Sequence, residues 1–384
     1  MKLSTPERNQ TEQEVAQDTA QGHSLSLVDG RLLPDTGEGT GVVRAAHSLY
    51  EHLIGLWAPG VIEAAFDLGV FAVLAEGPAT AHTLADRLDA DQRGMRVLLD
   101  ALSAYHMLDR SAAGKVVHYA LQPELRDCLL PDGLFSLAGK MRYDRMLAWD
   151  AWRNLARAVR GNGSAGAGAQ HHNQISEVEY ESLVRGINFW APPIVSILAD
   201  ALRQRHGWDT GREYSMLDVG CGTGLYSQLL LREFSELTGV GLDVPRIVPI
   251  AEAQSERMAV NPRFRPLARD FWDQDWDTGF NLVLFANIFH LQTPESARDL
   301  SMRASKALDD GGVVAIVDQI IDDRADTDAV QDRFFRLFAA SMLATGGGDA
   351  YPLSDYDDWL SVAGLRRVRL IDTPMHRILL AVHA

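Results

Sequence analysis

Glycine stands at every second position of a turn in Met216-Leu217-Asp218-Val219-Gly220-Cys221-Gly222-Thr223-Gly224. The turn joins a short apolar strand to an apolar helix, Leu225 to about Phe234. Such spacing lets the backbone turn tightly and leaves room for a ligand to lie against it. The unit points to an open α/β sheet, which places its ligands at the carboxyl ends of the strands. The next strand, Leu237 to Leu242, ends in Asp243. An acid there, about twenty residues past the turn, can accept hydrogen bonds from a ribose. A nucleoside-containing ligand is the first expectation.

The dinucleotide fingerprint needs its third glycine three residues after the second. Here Leu225 occupies that place, and Gly220, Gly222 and Gly224 keep a strict spacing of two. Asp218, just before the turn, would repel a pyrophosphate and suits a cation with an amino end. S-adenosylmethionine carries a sulfonium and an ammonium, and it is the expected cofactor.

The remaining chain continues the pattern. Val248 to Met258 reads as a helix, Phe264 to Leu267 as a short strand before Asp270-Phe271, and Glu295 to Leu308 as another helix. Asn281 to Ile288 is nearly all apolar, as a central parallel strand covered on both faces should be. Val313 to Val317 runs into Asp318, and a helix rich in Phe and Met follows at Asp328 to Leu343. Leu365 to Ile371 and His376 to Val382 read as two antiparallel closing strands. The expected fold is α/β: a Rossmann-like, doubly wound catalytic domain over 186–384.

Residues 1–40 are polar and aperiodic and read as a disordered tail. Residues 41–185 read as a helical winged-helix domain with lid helices. Helices begin near Val42, Gly60, Thr80 and Asp91, and a hairpin follows at Leu108 to Arg110 and Val116 to Leu121. Two further helices are expected between 134 and 159, and a long one from Glu177 to Arg205, interrupted at Pro192-Pro193. A winged helix can read DNA through its third helix or pair two subunits. The third helix here mixes Gln92, Arg93, Arg96 and Asp100 around an apolar stripe, which is no basic face.

A net charge of −16 disfavours a phosphate-backbone partner and agrees with a small neutral or cationic substrate,. Cys128 and Cys221 form no disulfide framework and no metal-type spacing,. No stretch reads as long and apolar enough to span a bilayer. The expectation is a cytoplasmic protein with no membrane or nucleic-acid partner and no resident metal.

Strand ends converge on one rim of such a sheet. The rim candidates are Asp218 with the glycine turn, Asp243, Asp270 with Phe271, Asn287 with His290, and Asp318. Methyl transfer from a sulfonium needs an acceptor with a free lone pair or a carbanion-like carbon. His290 can share an acceptor's proton as the new bond forms, and Asp318, one strand over, can orient the imidazole. Trp149, Phe189, Trp190, Phe338 and Met342, with Asn287, are the candidate substrate-lining residues.

The chain resembles the phenolic, caffeate-type O-methyltransferases and their bacterial relatives in antibiotic pathways. That resemblance covers about residues 42–384. It rests on Leu217 to Gly224, Asp243, Asp270-Phe271, Ile288-Phe289-His290 and Gly312-Val313-Val314-Ala315-Ile316-Val317-Asp318. It implies a homodimer paired through the winged-helix domain, with Asp243 on the ribose and Asp270-Phe271 at the adenine. It further implies His290 as general base supported by Asp318, and a small aromatic acceptor. Three positions depart from the family. Leu291-Gln292 replaces Asp-Trp after the histidine, Ala286 stands for a lysine, and Ala350, beside Asp349, stands for a second supporting glutamate. These departures keep a C-methyltransferase open, acting on a ring carbon or, with a metal, on a keto acid. A metal would need partners for His290 such as His171 or His172. The non-enzyme alternative is a winged-helix regulator that binds a small ligand.

Overall fold

The structure is a computed structural model that describes residues 41–161, 177–209, 211–272, 276–324, 330–345 and 348–384. The expected tail, His171 and His172, and the glycine-rich loop beyond Gly161 lie outside the described residues. Two compact units emerge: residues up to Val70 with Thr80–Tyr119, and Phe71–Ala79 with Ala120–Ala384.

The first unit contains helices Gly41–Ile54, Trp57–Leu68, Ala81–Arg87 and Gln92–Ala104. The last two start where a side chain replaces a missing helical partner. Thr80 Oγ1 accepts from the Thr83 N–H at 3.1 Å, and Asp91 Oδ2 from the Gly94 N–H at 2.7 Å. Strands β2 (Leu108–Ala113) and β3 (Val116–Leu121) follow as a hairpin, and β1 (Ala79–Thr80) completes the three-stranded sheet in the order β1-β3-β2. Asp100 takes hydrogen bonds from Arg96 at 2.9 Å, Arg110 at 3.3 Å and the Tyr119 hydroxyl at 2.8 Å. Two of this unit's arginines are thus paired with a carboxylate.

The second unit is built on a seven-stranded sheet ordered β6-β5-β4-β7-β8-β10-β9. Its strands are β4 (Tyr214–Val219), β5 (Leu237–Asp243), β6 (Phe264–Ala268), β7 (Phe280–Ala286), β8 (Leu308–Asp318), β9 (Leu365–Thr373) and β10 (His376–His383). Strand β10 alone runs against its neighbours, wedged between β8 and β9. Side chains alternate between the two faces with the period of a strand. Leu217, Val283, Phe285, Val314, Ile316 and Leu379 enter one core, and Met216, Leu282, Leu284, Ala315, Val317 and Leu380 the other.

Some details differ from expectation. The lid helices belong to the second unit, not to a domain ending at 185. Helices Ala138–Tyr143 and Glu177–Gly186 cross at backbone contact, because Gly139 faces the Ser182 carbonyl and Gly186 faces Lys140. The break in the long helix falls at Asn188–Trp190, before the prolines; Pro192 and Pro193 sit in the first turn of Ala191–His206, where no N–H is needed,. Against the expectation of no spanning stretch, the run Tyr180–His206 is long enough to cross a membrane and holds an 18-residue window of mean hydropathy 1.2. Its apolar residues Ile194, Val195, Leu198 and Leu202 are instead packed into the core. A further helix, Leu353–Val362, lay unread in the sequence.

Candidate functional site

The turn after β4 is set by its neighbours. Gly220, Gly222 and Gly224 all have positive φ, +70°, +57° and +73°. The Gly220 and Cys221 N–H groups both donate to the Leu242 carbonyl, at 2.8 and 3.0 Å, which folds the turn over the end of β5. A Cβ on Gly224 would stand 2.6 Å from Gln228 Nε2 and 2.8 Å from the Phe264 ring. Val184 approaches Gly222 from the helix Glu177–Gly186, and Phe271 and Ile288 flank Gly220.

Two carboxylates flank this turn. Asp243 is already engaged by the backbone: Oδ2 accepts from the Gly222 N–H and Oδ1 from the Val244 N–H, both at 2.8 Å. Burial still pushes its carboxyl up to about 6. Asp218 is 1% exposed, and its Oδ2 accepts from the Ser227 hydroxyl. Its Oδ1 has no partner among the described residues. Burial pushes this carboxyl up to about 7, the Asp243 charge adding to the effect and the Ser227 hydroxyl opposing it. A buried carboxylate oxygen without a donor suits a cation. The residues present therefore fit a ligand with a positively charged amino-acid end. Asp270 Oδ1 caps the Trp272 N–H at 2.9 Å, which sets the turn that brings Phe271 to Gly220.

Across the rim, His290 lies in the short 3-10 turn Phe289–Leu291 after β7. Its Nδ1 is 2.7 Å from Asp318 Oδ1, and its backbone N–H donates to Asp318 Oδ2 at 3.1 Å. The Gln319 N–H also donates to Oδ1, at 2.9 Å. Asp318 is 0% exposed. Burial would raise its carboxyl, but the His290 imidazole and these backbone donors outweigh that and hold it below its ordinary value. A carboxylate only accepts, so the imidazole carries its proton on Nδ1 and leaves Nε2 as a free lone pair. No described residue bonds to Nε2. The Phe338 ring meets the imidazole edge-on, centroids 5.0 Å apart.

Asp349 meets His290 through its backbone rather than through its carboxylate. Its Oδ1 accepts from the Ala350 N–H at 2.8 Å, while its backbone N–H donates to the His290 carbonyl at 2.9 Å. Gly348 has φ +76°, and a Cβ there would overlap that same carbonyl. This segment steadies the histidine through backbone alone.

The lining candidates separate. Phe338 meets His290, and Met342 is buried one turn further along the helix Val330–Thr345, which packs on the helix that holds Trp149. Phe189 and Trp190 lie together, and Trp190 presents its ring to His376 at 4.8 Å rather than to His290. Asn287 bonds to protein: its Nδ2 donates to the Tyr226 hydroxyl at 3.4 Å and its Oδ1 faces His376 Nε2 at 2.7 Å. Tyr226, Ser227, Gln319 and His376 escaped the sequence reading. Only Tyr226 and Ser227 carried a signal, by standing directly after the glycine turn. Among the described residues, no group of three or more His, Cys, Asp or Glu could hold a metal ion.

Residues 50–124 match the O-methyltransferase dimerisation domain, and residues 197–366 match the O-methyltransferase domain. The 3-hydroxy-5-methyl-1-naphthoate 3-O-methyltransferase of Streptomyces sahachiroi is 26% identical over 83% of this chain and 88% of its own length. The mitomycin biosynthesis 6-O-methyltransferase of Streptomyces lavendulae is 26% identical over 85% of this chain and 91% of its own. Human N-acetylserotonin methyltransferase, solved with S-adenosylmethionine, shares the fold with a TM-score of 0.74 at 20% identity, covering 90% of this chain and 100% of that one.

Proposed function

The chain belongs to the O-methyltransferase family, and from that membership we propose that it methylates a ring hydroxyl of a small aromatic natural product, with His290 as general base. The observation that carries the reading is the hydrogen bond between His290 Nδ1 and Asp318 Oδ1, at 2.7 Å, which leaves Nε2 uncommitted. The naphthoate and mitomycin enzymes support the aromatic acceptor by likeness.

S-adenosylmethionine, when bound, supplies an electrophilic methyl group on a sulfonium. Asp218 and the turn Gly220–Gly224 would hold its charged amino-acid end. The lone pairs that Asp243 does not spend on the backbone would take the ribose hydroxyls, and Asp270 with Phe271 would border the adenine. Phe338, Met342 and Trp149 would wall the acceptor, and Phe189, Trp190 and Asn287 its far side. His290 Nε2 draws the acceptor's hydroxyl proton as the oxygen becomes nucleophilic, and Asp318 stabilises the imidazolium that results. A phenol titrates near 10 and an imidazole near 6.5, so full transfer in advance would cost about 4 to 5 kcal/mol. Sharing the proton during attack avoids that cost.

The test is methyl transfer from labelled S-adenosylmethionine to a panel of phenols and hydroxynaphthoates, with product fragmentation locating the label. Label on oxygen supports the reading, and label on ring carbon replaces it with C-methylation. Turnover of a keto acid that a chelator abolishes would favour the metal-assisted alternative.

Donor binding should depend on pH. Asp218 and Asp243 carry carboxyls raised to about 7 and about 6 by the protein groups around them. A bound cation favours their ionised forms, so binding releases protons below those values. Affinity should therefore tighten as pH rises from 5 to 7, by up to about tenfold per unit for each carboxyl that ionises. Calorimetry in buffers of differing ionisation enthalpy reads the proton release directly. Affinity that is flat across this range would remove Asp218 from the donor site.

The reading includes a homodimer. The dimerisation domain exposes Leu49, Leu53, Leu56 and Trp57, with Leu53 69% and Trp57 53% accessible. Light scattering should give twice the chain mass, and Leu53→Asp with Trp57→Asp should give the monomer. It also includes action in the cytoplasm, where the free Cys128 and Cys221 remain reduced,.

A further inference from the structure

Asn287 follows directly on β7 with φ +62°, a left-handed conformation that asparagine tolerates better than most side chains,. Its N–H donates to the Val317 carbonyl at 2.9 Å, so the kink falls beside the residue that precedes Asp318. Both ends of its carboxamide are tied. Nδ2 donates to the Tyr226 hydroxyl at 3.4 Å, and Oδ1 lies 2.7 Å from His376 Nε2, which donates to it in the tautomer that carries the ring proton on that nitrogen. The Gln319 carboxamide lies 2.8 Å from the same imidazole nitrogen and, with that tautomer, turns its oxygen toward it,.

His376 opens β10 and is 0% exposed. Burial pushes its imidazole down to about 4, so the ring is neutral near pH 7. Neutrality matters at this place. A cation would compete with His290 for Asp318 and would repel the imidazolium that forms when His290 takes a proton.

Only Ile288 and Phe289 separate the kink from His290. Beyond them, the backbone N–H and the ring of His290 reach the two oxygens of one carboxylate. Both must arrive together, so a rotation at Asn287 displaces both. We propose that His376 and Asn287 are positioning residues for the base: the buried imidazole clamps Asn287 in its left-handed turn and so sets the approach of His290 to Asp318. The proposal rests on the reading of His290 as base, but its test needs no acceptor.

The readout is the low-field proton resonance of His290 Nδ1–H, assigned by its loss in Asp318→Asn. S-adenosylhomocysteine binding is followed in parallel by calorimetry. Asn287→Gly permits the same φ without the ties, and His376→Leu removes the clamp. Both should lose the resonance or exchange it at least about tenfold faster, with S-adenosylhomocysteine affinity held within about threefold. His376→Gln, which keeps a neutral donor, should restore it. If His376→Leu fails to fold, Asn287→Gly decides. An unchanged resonance in Asn287→Gly would overturn the proposal, and so would its absence from the wild-type spectrum. A wild-type protein that keeps the resonance but binds no S-adenosylhomocysteine would instead count against the methyltransferase reading.

Discussion

Alanine at position 290 should lower methyl transfer by about 10²- to 10⁴-fold while the donor still binds. The range is that of a positioned general base; the remaining acceleration comes from holding acceptor and methyl group in line. Donor affinity should survive because the groups read as holding it, Asp218, Asp243 and the glycine turn, make their hydrogen bonds without His290. One complication is structural. Asp318 is fully buried, and the deletion leaves it with backbone donors alone. His290→Gln, which can still donate to that carboxylate, separates the two effects. It should lose turnover as the alanine variant does yet melt within about 1 kcal/mol of wild type. Turnover of either variant near the wild-type rate, with donor bound, would remove His290 as the base.

The largest loss of stability should come from Asp332→Ala. Arg377 is 3% exposed; its guanidinium donates to Asp332 Oδ1 at 2.6 Å, the Ile320 carbonyl at 2.8 Å and Asp372 Oδ1 at 2.8 Å. Asp332 is itself 1% exposed. Removing Asp332 strips the buried guanidinium of its buried carboxylate and leaves it only the 65% exposed Asp372, and breaking a buried pair costs up to about 3 to 5 kcal/mol,. Replacing both partners with apolar residues, Asp332→Leu with Arg377→Met, should cost less than the single change, because no buried charge is stranded and only the Ile320 carbonyl loses its donor,. Urea melts of the three proteins check this. A loss under about 1 kcal/mol in Asp332→Ala would show that the pair is solvated in solution. The pair also fastens the helix Val330–Thr345 to β10, so Asp332→Ala should disturb the Phe338 ring against His290.

How much of this was legible depends on how local each signal is. The glycine turn, Asp218, Asp243 and the apolar run of β7 announce themselves, because backbone conformation and burial on both faces leave a mark in adjacent residues. His290 and Asp318 could be paired beforehand since β7 and β8 are consecutive in chain and neighbours in the sheet. His376 could not. It reaches Asn287 only because β10 pairs with β8, and nothing near His376 in sequence distinguishes it from any residue that opens a strand. Nor could the part of Asp349 be read: its place beside Ala350 says nothing of its carboxylate, which caps the neighbouring N–H. That the lid helices join the second unit is not written locally, because they meet it through the helix Val330–Thr345, more than 150 residues further along the chain.

The strand order has a consequence for synthesis. β8, which ends in Asp318, takes its outer neighbour from residues 376–383. The chain emerges amino end first, so the glycine turn and β4 to β7 can assemble while β8 still has an open edge. The imidazole of residue 290 can meet its acid during that interval. The lock behind it closes only when a later segment, the hairpin of β9 and β10, has left the ribosome and laid β10 against β8. A nascent enzyme of this design would be able to grip its methyl donor before it can use it.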